Sequence, residues 1–297
     1  MNVVKAITYR GQLLVDEPMS KHTSWRVGGT ADYYYVPADL ADLQYYLASL
    51  EPETAVNWIG LGSNMLVRDG GIRGVVIAPL NALRRLELND EGKIYAEVGV
   101  TSAKLAKFVN KHGLTGAEFF AGIPGTIGGA LAMNAGAFGG ETWPLVEAVV
   151  MINQQGQLIE RSASEFSVGY RRVSQFHGEW FAAAWFRFAA KTSDQDFDIR
   201  HLLQKRNVSQ PIGLPSCGSV FKNPAGQHAA QLIEAAGLKG YVLGNAGVST
   251  KHANFIISNA QTRATDIEAL IGYIQKVVKQ QFGAELETEV RILGEES

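Results

Sequence analysis

One stretch, residues 121–140, constrains the fold of this chain more than any other part of the sequence. Glycine is far more frequent there than the ~7% typical of proteins, and the stretch contains no charged residue. Dense glycine costs conformational entropy on folding, so a chain carries it where the backbone must approach a ligand closely or adopt a positive φ. We therefore expect this stretch to lie against a bound molecule. The alternative is a cluster of turns packed beneath a helix.

A second glycine loop, Gly60-Leu61-Gly62-Ser63-Asn64, lies between short apolar runs at 56–59 and 65–67. This pattern predicts a tight turn that leaves a strand. Successive backbone N–H groups in such a turn form an anion-binding nest, to which Ser63 and Asn64 can add side-chain donors. Two loops of this kind indicate a ligand with a diphosphate and an adjoining flat ring.

Composition argues against several classes of protein. The 297 residues carry a formal net charge of -2, which favours neither nucleic acid nor an anionic membrane as a partner. The single cysteine, Cys217, excludes a disulfide framework and a cysteine-based zinc site, and the six histidines lack a metal-binding spacing, so no metal is expected. We find neither a secretion signal nor an apolar run of the ~18 residues that span a bilayer, so we expect a cytoplasmic protein.

The order of predicted elements divides the chain into three domains. Residues 1–80 should form a small α/β unit, with a helix near 38–50 between strands and a leader at 1–21 that packs on the body. Residues 81–205 should form a β-rich domain, and residues 206–297 a smaller mixed one.

Three local signals refine these domains. In the second domain, either Thr101 or Ser102 can cap a helix. In the third, Thr265-Asp266-Ile267-Glu268 is a capping box that predicts the start of the longest amphipathic helix. Strict alternation of apolar and polar residues over 286–292 predicts a final strand.

Four stretches in combination resemble one enzyme family, the bacterial UDP-N-acetylenolpyruvoylglucosamine reductases. They are Gly60-Leu61-Gly62-Ser63-Asn64, Ala121-Gly122-Ile123-Pro124-Gly125-Thr126-Ile127-Gly128-Gly129, Gly218-Ser219-Val220-Phe221-Lys222-Asn223-Pro224 and Leu286-Glu287-Thr288-Glu289-Val290-Arg291. Either glycine loop alone is a signal for flavin proteins in general. The order and spacing of all four stretches cover nearly the whole chain and are specific to this family.

The resemblance implies an α+β fold, in which a two-subdomain FAD-binding module of the vanillyl-alcohol-oxidase type precedes a smaller α+β substrate-binding domain. It implies non-covalent FAD, NADPH as co-substrate, and reduction of the enolpyruvyl group of UDP-N-acetylglucosamine enolpyruvate to UDP-N-acetylmuramate in peptidoglycan synthesis. We expect a monomer. A Gly-x-Gly-x-x-Gly fingerprint after the first strand is absent, so FAD is not expected on a Rossmann unit.

The resemblance also implies which residues of this sequence form the cofactor and substrate sites, position by position. The expected FAD contacts are Gly60, Gly62, Ser63, Asn64, Gly122, Pro124, Gly125, Thr126 and Gly129. Arg26, next but one to the pair Gly28-Gly29, is a further candidate contact for the cofactor's anionic groups, with a solvated arginine as the alternative. The expected substrate contacts are Tyr170, Arg206 and Asn223.

Three residues match the family's catalytic set: Arg171 in the Tyr-Arg motif, Ser219 as proton donor and Glu289 as terminal carboxylate. Hydride addition to the enolpyruvyl methylene leaves negative charge that spreads into the substrate carboxylate as an enolate. A fixed guanidinium stabilises that charge, a carboxyl group assists if it carries or shares a proton, and serine can protonate a strongly basic enolate. Taken singly, each residue has a plainer alternative: a surface cation, a turn hydroxyl and a charge on a solvated strand face.

The sequence departs from the family pattern in three places. Residues 173–192 run directly into a strand without the Tyr-bearing loop of many members, which indicates the loop-lacking subgroup. Ser209 replaces a frequent lysine, so Arg206 and Asn223 would carry more of the UDP binding. Thr288 replaces a frequent proline, with little expected effect because threonine favours a strand.

Other interpretations compete with this one. A related flavin oxidase acting on alcohols or sugars usually has a larger substrate domain and often a His or Cys that tethers the flavin. A nucleotide-binding regulatory module would not need Arg171, Ser219 and Glu289 together. Cys217, two residues before Ser219, could be a nucleophile, but a small buried apolar role is favoured because no histidine lies near it in sequence.

Overall fold

The computed structural model describes residues 9–174, 176–192 and 199–296. The strands in this part of the chain are β1 (Gln12–Pro18), β2 (Thr30–Val36), β3 (Val56–Trp58), β4 (Met65–Val67), β5 (Ile72–Ile77), β6 (Leu86–Leu88), β7 (Lys93–Glu97), β8 (Leu114–Thr115), β9 (Gly136–Ala137), β10 (Gly140–Glu141), β11 (Val146–Asn153), β12 (Leu158–Ser162), β13 (Val168–Gly169), β14 (Arg172–Val173), β15 (Glu179–Arg187), β16 (Ala189–Ala190), β17 (Val242–Leu243), β18 (Ala246–Val248), β19 (Ile256–Ile257) and β20 (Arg291–Leu293). The α-helices are α1 (Leu40–Ala48), α2 (Ser102–Lys111), α3 (Ile127–Met133), α4 (Ile199–Ser209), α5 (Ala229–Ala235) and α6 (Ala264–Phe282).

These residues separate into two compact units. The first contains the chain before Val15, Tyr34–Gly60 and Gly74–Ile199, and the second contains Val15–Tyr33, Leu61–Arg73 and the chain from Arg200 onward. The third predicted domain, 206–297, falls within the second unit, whereas residues 1–80 are shared between both. The division into three domains stays a prediction.

A five-stranded antiparallel sheet with the order β12-β11-β15-β7-β6 dominates the first unit. Its central strand β15 is apolar through most of its length, and Phe186 is fully buried in the core together with Ile94 of β7. Such a strand must be covered on both faces, which is typical of the middle of a sheet. The predicted β-rich character of this part of the chain is therefore confirmed.

Helix starts in the first unit follow the local capping rules. Thr101 caps α2, because its hydroxyl accepts the Lys104 N–H at 3.3 Å, and Ser102 is instead the first helical residue. Asp39 caps α1 by accepting the Asp42 N–H at 2.9 Å. The helix predicted near 38–50 is thus confirmed, two residues shorter at each end.

The second unit is built around α6. Its buried face, from Ile267 to Val278, packs into a core that includes Trp25, Leu66 and Phe221. Strand β20 pairs in parallel with β4, with Arg291 opposite Met65 and Leu293 opposite Val67, and β17-β18-β19 form a small antiparallel sheet. The end of the chain therefore lies beside the strand that follows the first glycine loop.

The predicted capping box at the start of α6 is wrong by two residues. The helix begins at Ala264, and its N–H and that of Thr265 donate to the Asp69 carboxylate, each at 3.0 Å. The Arg263 N–H donates to Asp266 at 3.0 Å, while Glu268 forms a two-point ion pair with Arg68. A carboxylate from a distant segment has taken the place that a local cap was expected to fill.

Two further expectations differ from the structure. Of the predicted leader, residues 1–8 lie outside the described residues, and residues 12–18 form β1, followed by the fully buried Met19. The final strand was expected over 286–292, but only Arg291–Leu293 is regular and Thr288 makes a single bridge to Phe221. The reason is local, because the N–H groups of Glu289 and Val290 both turn toward the Val220 carbonyl, at 2.8 and 3.3 Å.

Candidate active site

The two predicted flavin loops meet within the first unit. A Cβ added to Gly60 would lie 2.5 Å from the Thr126 hydroxyl oxygen, so only glycine fits there without a shift. Thr126 caps α3, and its neighbours are fixed by backbone bonds from Ile127 N–H to Val100 O (2.8 Å) and from Gly128 N–H to Val98 O (3.0 Å). The close approach of the two loops explains why position 60 is a glycine.

The surface formed by these loops can accept a cofactor. A Cβ at Gly129 would meet only the Thr126 hydroxyl, at 4.0 Å, so the space beside this exposed glycine is open. The buried Ser102 hydroxyl has no hydrogen-bond partner among the described residues, although its N–H donates to Gly125 O at 3.0 Å. Buried hydroxyls are usually paired, so an unpaired one beside the loop is consistent with a polar ligand. The residues present fit FAD at this position.

Sequence reasoning assigned Ser102 only to helix capping. Nothing in its neighbours Thr101 and Ala103 distinguishes it from an ordinary first-turn serine. Its link to the flavin loop comes from the Thr101–Thr126 bridge, which the sequence does not reveal.

The rest of the first glycine loop belongs to the second unit. Gly62 has φ +63°, and its carbonyl accepts the Ser24 N–H at 2.9 Å. The Asn64 side chain donates to the Glu289 carbonyl at 3.1 Å, and Asn64 O accepts the Arg291 N–H at the same distance. Asn64 therefore joins a predicted cofactor loop to the segment that carries a predicted catalytic carboxylate.

Cys217 is buried against this loop. Its thiol contacts the carbonyls of Gly62 and Met65 at 3.5 and 3.3 Å, and burial raises the pKa of the Cys217 thiol to about 12. A nucleophilic cysteine needs a lowered pKa and access to solvent. The small buried role is confirmed for Cys217, and the nucleophile interpretation is disfavoured.

Arg26 is an exposed residue held in the left-handed region, with φ +58°. Its N–H donates to Thr23 O at 3.0 Å, and the neighbouring Trp25 is fully buried with its indole N–H on Ile256 O at 2.7 Å. The backbone at Arg26 is therefore anchored, while the residue itself is exposed to solvent. A positive φ at a residue other than glycine is uncommon and marks a position worth testing for function.

Arg171 also has a positive φ, +52°, in the short turn between β13 and β14. Its guanidinium donates to Gly136 O at 2.7 Å and to Asn134 O at 3.3 Å, and the ring of Tyr170 lies 5.2 Å from it. Tyr170 itself is 48% exposed. We call Asn134, Gly136, Gly169 and Arg171 the Arg171 cradle.

Ser219 and Glu289 lie in segments that the second unit brings together. The Glu289 N–H donates to the carbonyl of Val220, the residue after Ser219, at 2.8 Å, and Lys222 N–H donates to Glu287 O at 2.9 Å. Gly218 takes φ +70° just before the serine, a conformation that glycine adopts without strain. The backbone segments that carry Ser219 and Glu289 are therefore adjacent, and their catalytic roles stay a prediction.

Asn254, which the sequence did not single out, holds this arrangement. It is 4% exposed, its amide accepts the Phe221 N–H at 3.0 Å and donates to Phe221 O at 2.8 Å, and its carbonyl accepts the Val220 N–H at 2.9 Å. We call Ser219, Val220, Phe221, Asn254 and Glu289 the Ser219 clamp.

The predicted substrate contacts Arg206 and Asn223 both have partners inside the second unit. Arg206 lies in α4, where it bonds to Gln210 at 2.9 Å, and burial lowers the pKa of its guanidinium. The side-chain amide oxygen of Asn223 accepts the Ala229 N–H at 3.1 Å and so supports the start of α5. The Asn223 amide oxygen therefore stabilises α5, and the amide N–H groups are the part proposed to contact the substrate.

Neither a metal centre nor a membrane span emerges from the described ranges. They contain no group of three or more His, Cys, Asp or Glu side chains that could hold a metal ion. In residues 9–174, 176–192 and 199–296, every helix is too short or too polar to cross a membrane.

Comparison with known proteins defines the class first. Residues 31–162 match the family model described as an FAD binding domain, so the chain carries the fold of a flavoprotein. Residues 210–293 match the model of the UDP-N-acetylenolpyruvoylglucosamine reductase C-terminal domain. Curated reductases of that name are 50% identical in Coxiella burnetii, covering 96% of both chains, and 52% identical in Methylococcus capsulatus, covering 96% of this chain and 94% of that protein.

The particular family follows from these identities. This chain belongs to the UDP-N-acetylenolpyruvoylglucosamine reductases. A solved reductase from Thermus caldophilus is similar over 95% of this chain and 98% of its own, with 28% identity and a TM-score of 0.80. The predicted fold, family and enzyme class are confirmed, and the flavin-oxidase alternative is not favoured.

Proposed function

We propose that this chain reduces the enolpyruvyl group of UDP-N-acetylglucosamine enolpyruvate with NADPH and forms UDP-N-acetylmuramate. Its membership of the reductase family supports the reaction. The observation that supports the catalytic assignment is the backbone bond from Glu289 N–H to Val220 O, because it joins the segment of Ser219 to the segment of Glu289.

Bound FAD would be held by the two glycine loops, with Gly60 and Thr126 in contact and open space beside Gly129. Bound FAD would supply the hydride chemistry that links NADPH to the enolpyruvyl methylene carbon. Arg26, Ser63, Asn64, Gly122, Pro124 and Gly125 complete the proposed set of contacts.

The protein's own residues complete the addition to the double bond. Arg171 pairs with the substrate carboxylate and stabilises the negative charge that develops there. Glu289 shares a proton with the same group. Ser219 donates its hydroxyl proton to the carbon next to the carboxylate and regains a proton from solvent, so one hydride and one proton have been added in total. Tyr170, Arg206 and Asn223 hold the nucleotide-sugar.

The half-reactions of the purified holoenzyme test this function under nitrogen. NADPH should bleach the flavin absorbance, and the enolpyruvyl nucleotide alone should then restore it with formation of UDP-N-acetylmuramate. A colourless protein, or reoxidation by oxygen with a sugar but not by the nucleotide, would contradict the proposal. Gel filtration and cell fractionation test the accompanying expectation of a cytoplasmic monomer.

A further inference from the structure

Asn134 bonds both to the Arg171 guanidinium and to the strand that leads into Arg171. The Asn134 carbonyl accepts from the guanidinium at 3.3 Å, while the Asn134 side-chain amide donates to the carbonyl of Gly169, two residues before Arg171, at 3.2 Å. One residue, Asn134, therefore restrains both the Arg171 guanidinium and the backbone two residues before Arg171.

Asn134 is itself held from three directions. It is 1% exposed, and its amide also donates to Glu141 Oε2 at 3.0 Å while its side-chain oxygen accepts the Trp143 N–H at 3.1 Å. Glu141 is the register partner of Gly136 in the hairpin β9–β10, and the Gly136 carbonyl is the second acceptor of the Arg171 guanidinium.

A simpler role for Asn134 is the end of a helix. It is the C-cap of α3, with φ +46° and ψ 58°, and glycine is the residue that usually serves there. A cap needs only the left-handed backbone, whereas here the amide makes three hydrogen bonds that link α3, the hairpin and the strand before Arg171. Helix capping therefore does not account for the three hydrogen bonds of the Asn134 side chain.

We propose that Asn134 is a positioning residue for catalysis, which holds the Arg171 guanidinium where the substrate carboxylate develops its charge. The inference rests on the proposed function, because it assumes that Arg171 meets that charge. Arginine has a long side chain with much rotational freedom, so an electrostatic catalyst of this type needs an external support to be preorganised.

The test uses Asn134→Gly and Asn134→Asp in the holoenzyme. Glycine keeps the left-handed cap and removes the amide. Aspartate keeps the shape and the acceptor for Trp143 but removes the donor to Gly169 and to Glu141, whose carboxylate it then faces. We expect substrate-driven flavin reoxidation to slow ~10-fold at saturating substrate, with KM, flavin occupancy and flavin reduction by NADPH nearly unchanged. The urea midpoint should fall in both variants, because each leaves the Gly169 carbonyl without its buried amide donor. The matched control is Asn81→Gly, an exposed asparagine with φ +65° in the same unit.

A double-variant cycle decides between positioning and a general structural effect. Arg171→Ala should slow reoxidation by ~10²–10³-fold, and adding Asn134→Gly to it should cause no further loss, because Asn134 acts only through Arg171. Factors that multiply, or Asn134 variants as fast as wild type, would overturn the inference. If Arg171→Ala alone has no effect, the proposed function of Arg171 fails instead, which is a separate result.

Discussion

The Arg171 cradle and the Ser219 clamp hold the proposed catalytic residues in opposite ways. In the cradle, backbone carbonyls at 134 and 136 hold the end of a long side chain, and two of the four residues have a positive φ without being glycine. In the clamp, backbone bonds join the segments that carry Ser219 and Glu289, and the buried Asn254 amide pairs with the backbone of Phe221.

The length of the side chain accounts for the difference. A serine hydroxyl lies one rotatable bond from its backbone, so fixing the backbone nearly fixes the hydroxyl. An arginine loses ~2 kcal/mol of rotamer entropy when it is immobilised, so its head group must be held directly. Each prediction below tests one side of this contrast, and the largest expected effect comes first.

Ser219→Ala removes the proposed proton donor while leaving the clamp's backbone bonds intact. Substrate-driven reoxidation should slow by ~10²–10⁴-fold, since general acid catalysis typically contributes that much, and flavin reduction by NADPH should stay near the wild-type rate. Rapid-mixing absorbance measurements of the two half-reactions check this.

Two comparisons sharpen the Ser219 result. Ser219→Cys should retain more activity than Ser219→Ala, because a thiol has a lower pKa and a similar size, and Ser216→Ala in the same loop should behave as wild type. Equal, near wild-type rates for the alanine and cysteine variants would show that Ser219 is a turn hydroxyl and that the proton comes from elsewhere.

Asn254→Ala should lower the free energy of unfolding by about 2–4 kcal/mol, because it leaves the buried N–H and C=O of Phe221 unpaired. Urea denaturation of the FAD-bound protein measures this. The exposed Asn259→Ala is the control and should cost under about 1 kcal/mol, since water replaces its bonds. A loss as small for Asn254 as for Asn259 would mean that backbone pairing alone sets the clamp.

Gly129→Val tests whether FAD occupies the open space beside Gly129. The FAD dissociation constant should rise at least ~10-fold, about 1.4 kcal/mol, with the circular dichroism spectrum unchanged. Gly272→Val in α6 is a matched control, because that glycine is also helical with no atom within 4 Å of an added Cβ. Full flavin occupancy in Gly129→Val would contradict the assignment.

The Cys217 thiol should not react with a disulfide reagent while the protein is folded. With its thiol pKa near 12, only ~10⁻⁴ of it is thiolate at pH 8, and burial blocks reagents as well. A disulfide reagent should therefore titrate no thiol until urea is added, and one thiol per chain afterwards. Fast labelling of the folded protein would show that the region beside the Ser219 clamp opens readily.

The sequence predicted the elements whose signals are local. The helix α2 with a cap at Thr101 or Ser102, the β-rich character of residues 81–205 and the buried Cys217 follow from periodicity, capping and residue chemistry. The family and its flavin loops could be predicted because four motifs occur in order.

What the sequence could not supply depends on contacts between distant residues. The cap of α6 comes from Asp69, 195 positions before Ala264, and local rules therefore placed the capping box two residues late. Asn134 and Asn254 look like ordinary polar residues until their buried amides are seen to hold other segments. The positive φ of Arg171 also has no signal in its neighbours, since arginine rarely adopts it.

The link between Asn64 and Glu289 has a consequence for how the protein is made. These residues are 225 positions apart, so at ~5–20 residues per second the ribosome reaches Glu289 roughly 11 to 45 s after Asn64. During that interval the Asn64 side chain lacks its acceptor, the Glu289 carbonyl, and β4 lacks its partner strand β20. The nascent loop would therefore complete its native bonds only late in translation, and cofactor capture by the growing chain should be a late event.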